Sequence, residues 1–266
     1  MRMAMTIEEA IAVIVNNIPG APFPDTVDTV KMGDTAQVLK GILVTFLTSC
    51  EIIEQAVQQN ANFIITHEPT FYNHLDQTDW LADDPVYQAK HRMIAEHNLV
   101  IWRFHDYLHT LQPDITVVGA FRELGWEAAM HPEEYFRCQL PPTTLGQLVN
   151  HIKARLGIEM VRVVGDFEMP CQKIGLLPGF PPYQMQIGFL GHPEVEVLIC
   201  GEIHEWETLE YARDAIRLGH QKALVVIGHA ASEEPGMKWI VPWIKGLLPP
   251  DVPIQFVPTR KMLKSV

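Results

Sequence analysis

The sequence predicts an α/β fold made of two related three-layer halves with mostly parallel or mixed sheets. Two observations predict it. Short apolar runs of the kind that form buried strands alternate with amphipathic helical segments, which implies a sheet covered by helices. The alternation also runs through two cycles, so we place an N-terminal half at 1–130 and a C-terminal half at 131–266, with the halves allowed to interleave.

Thr6 and Glu9 form a capping box that opens a first helix, with Ile7, Ala10, Ile11 and Ile14 on its apolar face. Pro19 to Pro24 make a turn-rich loop. Gly41 to Leu47 reads as a buried strand, and Ser49 caps a helix carrying Ile52, Ile53, Ala56 and Val57. Asn62 to Thr66 is a second strand, Val86 to His97 a helix, Leu99 to Phe104 a third strand and Ile115 to Leu124 a helix. The second cycle starts near Tyr135. Thr143 or Thr144 caps a helix that runs to Leu156. Strands follow at Val161–Val164, Ile174–Leu177, Val195–Cys200 and Ala223–Ile227. A helix covers Trp206 to Leu218, a last helix starts after Pro235, and Ile254–Val257 forms a final strand. The apolar stretch Trp239 to Ile244 reads first as the core face of that last helix and second as an interface.

Composition narrows the function. The formal net charge of -12 repels phosphate backbones, and no Lys/Arg run offsets it, so nucleic acid is not an expected partner. Four well-separated cysteines without a C-x-x-C pair suit reduced thiols, and the N-terminal stretch lacks the apolar core of a signal peptide. No window approaches the roughly 18 apolar residues of a membrane span. A cytoplasmic protein is expected. A chain of 266 residues buries enough surface to fold without a metal, so any metal it binds serves chemistry.

Of twelve histidines, four lie just past the carboxyl ends of expected strands: His67, His105, His204 and His229. In open α/β sheets that end carries the ligand crevice. Taken singly, such a histidine is most often a loop residue or a structural hydrogen-bonding group. Here each segment brings further donors: His67-Glu68, then His105-Asp106-Tyr107-Leu108-His109, then His204-Glu205, then His229 with Glu233 four residues on. If that last segment is helical, its two donors share a face. Imidazoles with carboxylates suit Zn, Fe, Mn, Ni or Co, which points to a metal cleft between the two halves. A glycine-rich nucleotide loop and a G-x-S-x-G nucleophile turn are both absent.

These segments carry a resemblance. Gly41 to Phe71 is similar to a strand–helix–strand unit ending in I-T-H-H-P in the NIF-three-like family, also described as GTP cyclohydrolase I type-two homologues. HDYLH at 105–109 resembles its H-T-N-L-D, CGEIHEW at 200–206 its T-G-E-x-x-H-H, and GHAASE at 228–233 its G-H-x-x-T-E. The resemblance covers nearly the whole chain and implies two divalent metal ions held by His67, Glu68, His109, His229 and Glu233. Glu68 stands where a second His is usual and His109 where an Asp is usual. The exchange conserves three imidazoles and two carboxylates, which implies a centre that is retained but rearranged. The resemblance also implies a homo-oligomer, commonly a hexameric ring.

On this reading the chain is a metal-dependent hydrolase acting on a nucleotide or heterocyclic small molecule. The alternative is a metal-binding scaffold or regulatory protein without turnover. His105 is a candidate proton shuttle or an orienter of a ligand, Glu202 a candidate base or outer acceptor, and Asp106 an alternative ligand. The acidic loop from Asn73 to Pro85 is placed on the cleft rim.

Overall fold

A computed structural model describes residues 4–259; Met1-Arg2-Met3, part of the stretch read above for a signal peptide, lies outside the described residues. The chain runs through α1 (Ile7–Val15), β1 (Val30–Met32), β2 (Ile42–Thr45), α2 (Cys50–Gln58), β3 (Phe63–Thr66), α3 (Pro85–Glu96), β4 (Val100–Arg103), α4 (Asp106–His109) and α5 (Ile115–Leu124). It continues through β5 (Arg137–Thr144), α6 (Leu145–Leu156), β6 (Arg162–Val164), β7 (Pro170–Leu177), α7 (Tyr183–Gly191), β8 (Val197–Cys200), α8 (Glu210–Arg217), β9 (Ala223–Val226), α9 (His229–Leu247) and β10 (Ile254–Phe256).

These elements form two compact units. One comprises the described residues through Ile115 together with those from Met237 onward, and the other Thr116–Gly236. The boundary expected at 130/131 therefore falls inside the second unit. The reason is that Val117, Ala120, Phe121 and Leu124 of α5, with Trp126, pack in the core of the second unit, while the segment after Gly236 returns to the first sheet, where β10 pairs in parallel with β2.

The first unit holds a five-stranded sheet in the order β1-β4-β3-β2-β10. The last four strands are parallel, and β1 runs antiparallel along β4. Strand alternation decides which helices cover which face. Ile42, Val44, Phe63, Ile65, Val100 and Trp102 pack with Ile7, Ala10 and Ile14 of α1 and with Met237, Ile240 and Ile244 of α9. Their neighbours Leu43, Ile64 and Ile101 point the other way, onto Ile52, Ile53 and Ala56 of α2 and Ile94 of α3. Both faces are buried, so the strands read as continuous apolar runs rather than alternating ones. The Trp239–Ile244 stretch is therefore a core face, as its first reading had it. Val57, by contrast, is 37% exposed and does not join the apolar face of α2.

The second unit repeats the plan with sheet order β5-β7-β8-β9-β6. Here β7, β8 and β9 are parallel and both edge strands antiparallel. Ile174, Leu176, Val197, Ile199 and Val225 pack on Phe121 of α5 and on Leu145, Leu148 and Ile152 of α6. Leu177, Leu198, Cys200 and Leu224 pack on Leu190 of α7 and Ala212 of α8. In each unit three successive parallel strands form the centre, which matches the two related halves expected from the sequence.

Helix starts follow their caps. The capping boxes at Thr6/Glu9 and Thr144/Gln147 are both formed, and Ser49 accepts from Ile52 N–H at the start of α2. The last helix departs from expectation. It begins at His229, six residues before Pro235. A proline inside a helix removes one backbone bond. Burial of Met237, Ile240, Val241 and Ile244 offsets that loss.

Candidate metal centre

In the first unit the parallel strands β3 and β4 end side by side, with Thr66 opposite Arg103. His67 and His105 follow these strands, and the single turn of α4 brings His109 back toward them. The three rings gather closely. Centroids are 4.6 Å apart for His67–His105, 5.1 Å for His67–His109 and 4.9 Å for His105–His109. One ligand atom from each lies within 4.8 Å of the others.

Each ring is oriented by an oxygen at the same nitrogen. His67 Nδ1 lies 3.1 Å from Phe104 O, His105 Nδ1 2.9 Å from Asp106 Oδ1, and His109 Nδ1 2.9 Å from Asp114 Oδ2. Such contacts favour the Nδ1–H tautomer and leave Nε2 as the nitrogen that could ligate a metal. Asp106 is engaged on its other oxygen too, by the Thr26 hydroxyl at 2.8 Å and Val27 N–H at 3.0 Å. The structure thus gives Asp106 the orienting position rather than the ligand position weighed from the sequence. Burial raises the Asp106 carboxyl, but the His105 ring, Val27 and Thr26 outweigh it and hold it at about 2. Burial, with the neighbouring His67 and His109, pushes His105 down to about 4. That ring is neutral at physiological pH, the form that ligates a metal.

Two charged residues secure this cluster. Asp28 accepts from the N–H groups of His105 (2.8 Å), Asp106 (2.9 Å) and Tyr107 (2.7 Å), so it anchors the start of α4. Arg103, buried at the end of β4, donates from Nε to His67 O at 3.0 Å and from Nη1 to His74 O. Its guanidinium also faces Glu68 at 3.7 Å and Asp76 at 3.8 Å. The segment from 67 to 76 is thereby tied to β4. Sequence reasoning singled out none of Asp28, Arg103 or Asp114: Asp28 acts from 77 to 79 residues away, Arg103 from within a strand, and Asp114, five residues from His109, from a loop without a spacing that marks the pair.

The second unit gathers the other expected donors. His229 and Glu233 do share a helical face, with Nε2 to Oε2 at 3.0 Å. Glu202 Oε1 lies 3.3 Å from His229 Nδ1. Gly228, at φ +95°, makes the turn from β9 into α9. Gly179 sits at φ +68°, a conformation that favours glycine, and a Cβ there would stand 2.2 Å from Glu233 Oε1 and displace that carboxylate. The Ser232 hydroxyl accepts from Gly179 N–H at 2.9 Å and donates to His229 O at 2.7 Å, closing the loop over the helix start. His204 is placed among aromatic rings instead.

The donor chemistry in each unit fits a divalent first-row ion: pre-oriented imidazoles in one, an imidazole flanked by carboxylates in the other.

The family model described as Duf34/NIF3 (NGG1p interacting factor 3) matches residues 5–261. No curated protein matches the sequence. Among solved structures, Staphylococcus aureus protein SA1388 superposes with a TM-score of 0.74 at 16% identity, over 98% of this chain and 99% of that one. A Bacillus cereus protein related to NIF3 gives 0.72 at 15%, over 99% and 100%. Reduced HcgD from Methanocaldococcus jannaschii gives 0.60 at 15%, over 95% and 97%. At such identities these likenesses speak for the fold.

Proposed function

The chain belongs to the Duf34/NIF3 family, and from that premise we propose that it is a metal-dependent hydrolase acting on a nucleotide or heterocyclic small molecule. The observation that carries the reading is the set of three imidazoles, each oriented at Nδ1 by an oxygen, at the carboxyl ends of β3 and β4.

Two divalent ions are proposed, with His67, Glu68 and His109 as ligands from the first unit and His229 and Glu233 from the second. His105, packed among the same rings, is either a further ligand or a proton carrier. Bound divalent ions supply Lewis acidity toward a water and a substrate oxygen. The chain's own residues do the rest. Asp106 and Asp114 hold their imidazoles in the coordinating tautomer, and Arg103 fixes the backbone that carries His67 and Glu68. Glu202, beside His229, would take a proton from a water. A ring-shaped homo-oligomer of six chains, as the family resemblance implies, and a cytoplasmic location complete the proposal; no helix among the described residues is long and apolar enough to cross a membrane.

A second reading, a metal-binding scaffold, is favoured by the family's own description as an interacting factor. Turnover separates the two. Metal-loaded protein should release product from a panel of nucleotides and heterocyclic amides, and His67→Ala should abolish that release. Stoichiometric metal without turnover on any compound would favour the scaffold.

A further inference from the structure

A second feature of the Thr116–Gly236 unit is a group of exposed aromatic rings. Trp206 is 74% exposed and Phe180 45% exposed. Between them lies His204, stacked on the Trp206 ring at 5.2 Å with an interplanar angle of 6°, and met edge-on by Phe180 at 4.7 Å. Single exposed apolar residues are ordinary on a protein surface, whereas adjoining exposed aromatic rings mark a binding surface.

The group is built rather than accidental. Gln186, fully buried, donates from Nε2 to Pro181 O at 3.0 Å and to Glu202 O at 2.9 Å. Its Oε1 accepts from the Thr208 hydroxyl at 2.6 Å. Pro181 follows Phe180, Glu202 precedes His204 by two residues, and Thr208 follows Trp206 by two. One buried amide therefore ties the backbone beside Phe180 and His204 to the Thr208 side chain two residues past Trp206. The turn that presents Trp206, Glu205–Leu209, is a π-helical turn, a costly irregularity that concentrates at functional sites. A rigid platform of this kind loses little entropy when a flat ring settles on it.

Charge narrows what settles there. Glu202, Glu205 and Glu207 lie in the same short segment. Glu207 is drawn to His204, and Glu205 to Arg162. Carboxylates beside an exposed indole repel an anionic ring and favour a neutral or cationic one, which also gains from the indole face. Glu202 meanwhile touches His229, so the platform borders the donors of this unit.

We propose that Phe180, His204 and Trp206 form a stacking platform for the planar heteroaromatic ring of a neutral or cationic small molecule. Identifying that ring as part of the substrate rests on the hydrolase reading above. Ring binding itself does not.

The test uses one ring at three charges. Binding of 1-methylnicotinamide, nicotinamide and nicotinate to the full chain is followed by saturation-transfer NMR and titration calorimetry, with and without prior chelation, and metal content is measured on the same samples. The two uncharged or cationic rings should bind more tightly than nicotinate. Trp206→Ala should weaken them roughly tenfold and Trp206→Phe much less, as expected for a lost stacking face. Because Trp206 is exposed, neither change should disturb folding, which circular dichroism checks. Ring binding in a protein that takes up no metal would uphold the platform while removing the hydrolase reading. Absence of ring binding in metal-loaded protein, equal binding by Trp206→Ala, or a change of oligomeric mass in Trp206→Ala without ring binding would each overturn the platform.

Discussion

His67, His105 and His109 share one device: an oxygen at Nδ1 orients each ring and leaves Nε2 as the candidate ligand atom. The device predicts that the acceptors matter nearly as much as the rings. Asp114→Asn should weaken metal affinity by about 10–100-fold, read by competition with a chromogenic chelator, with circular dichroism confirming that the fold is kept. Full retention of affinity would show that the Asp114 contact to His109 Nδ1 does not prepare that ring for a metal. A second residue-scale prediction concerns Lys90, which is buried with Nζ 2.6 Å from Thr70 O. Burial pushes it down to about 8 from 10.5. Between these values the unfolded chain binds more protons than the folded one, so the Lys90 contribution to stability rises with pH across that window. Denaturant unfolding of Lys90→Met, compared with wild type between pH 8 and pH 10.5, should lack that part of the rise. Parallel pH profiles would contradict the assignment.

At the scale of elements, the site depends on how strands end and helices begin. β3 and β4 end in register, and α4 starts where Asp28 collects three successive N–H groups. Asp28→Ala should cost about 2 kcal/mol of stability, the scale of a lost charged cap, and should lower metal affinity along with it. Loss of stability without loss of affinity would mean that α4 does not position His109. Elements with strong local chemistry were legible in the sequence. Apolar runs marked the central strands, and capping residues marked α1, α2 and α6. The helical spacing of His229 and Glu233 also held. Elements governed by distant partners were not legible. β5 contains Pro141 and Pro142, which argue against a strand, yet it survives at a sheet edge with an irregular register between Gln139 and Thr143. β1 is three residues long and exists because β4 offers it an edge. The start of α9 was misplaced because Pro235 reads as a helix start when it lies within one. The coordinating segments were found from strand-end histidines; Asp28, Asp114 and Arg103 become visible only once the chain is folded.

At the scale of the molecule, two units repeat one plan: three parallel strands in sequence, donors after the second and third, and helices on both faces. In the first unit the core is completed from the far end of the chain, where Met237, Ile240, Ile244 and Ile254 join Ile42, Val44 and Phe63. Truncation after Gly236 should therefore strip hydrogen-exchange protection from β2, β3 and β4 while β7, β8 and β9 keep theirs. The central claim, however, concerns metal. The most direct test is metal content per chain by plasma mass spectrometry, on protein purified without chelators or a His-tag, beside His67→Ala and His229→Ala. The account predicts about two equivalents of a divalent transition metal in the wild type, as in two-metal hydrolases, and a marked loss in both variants. Wild-type protein that retains no metal, even after incubation with Zn, Mn or Fe, would contradict it.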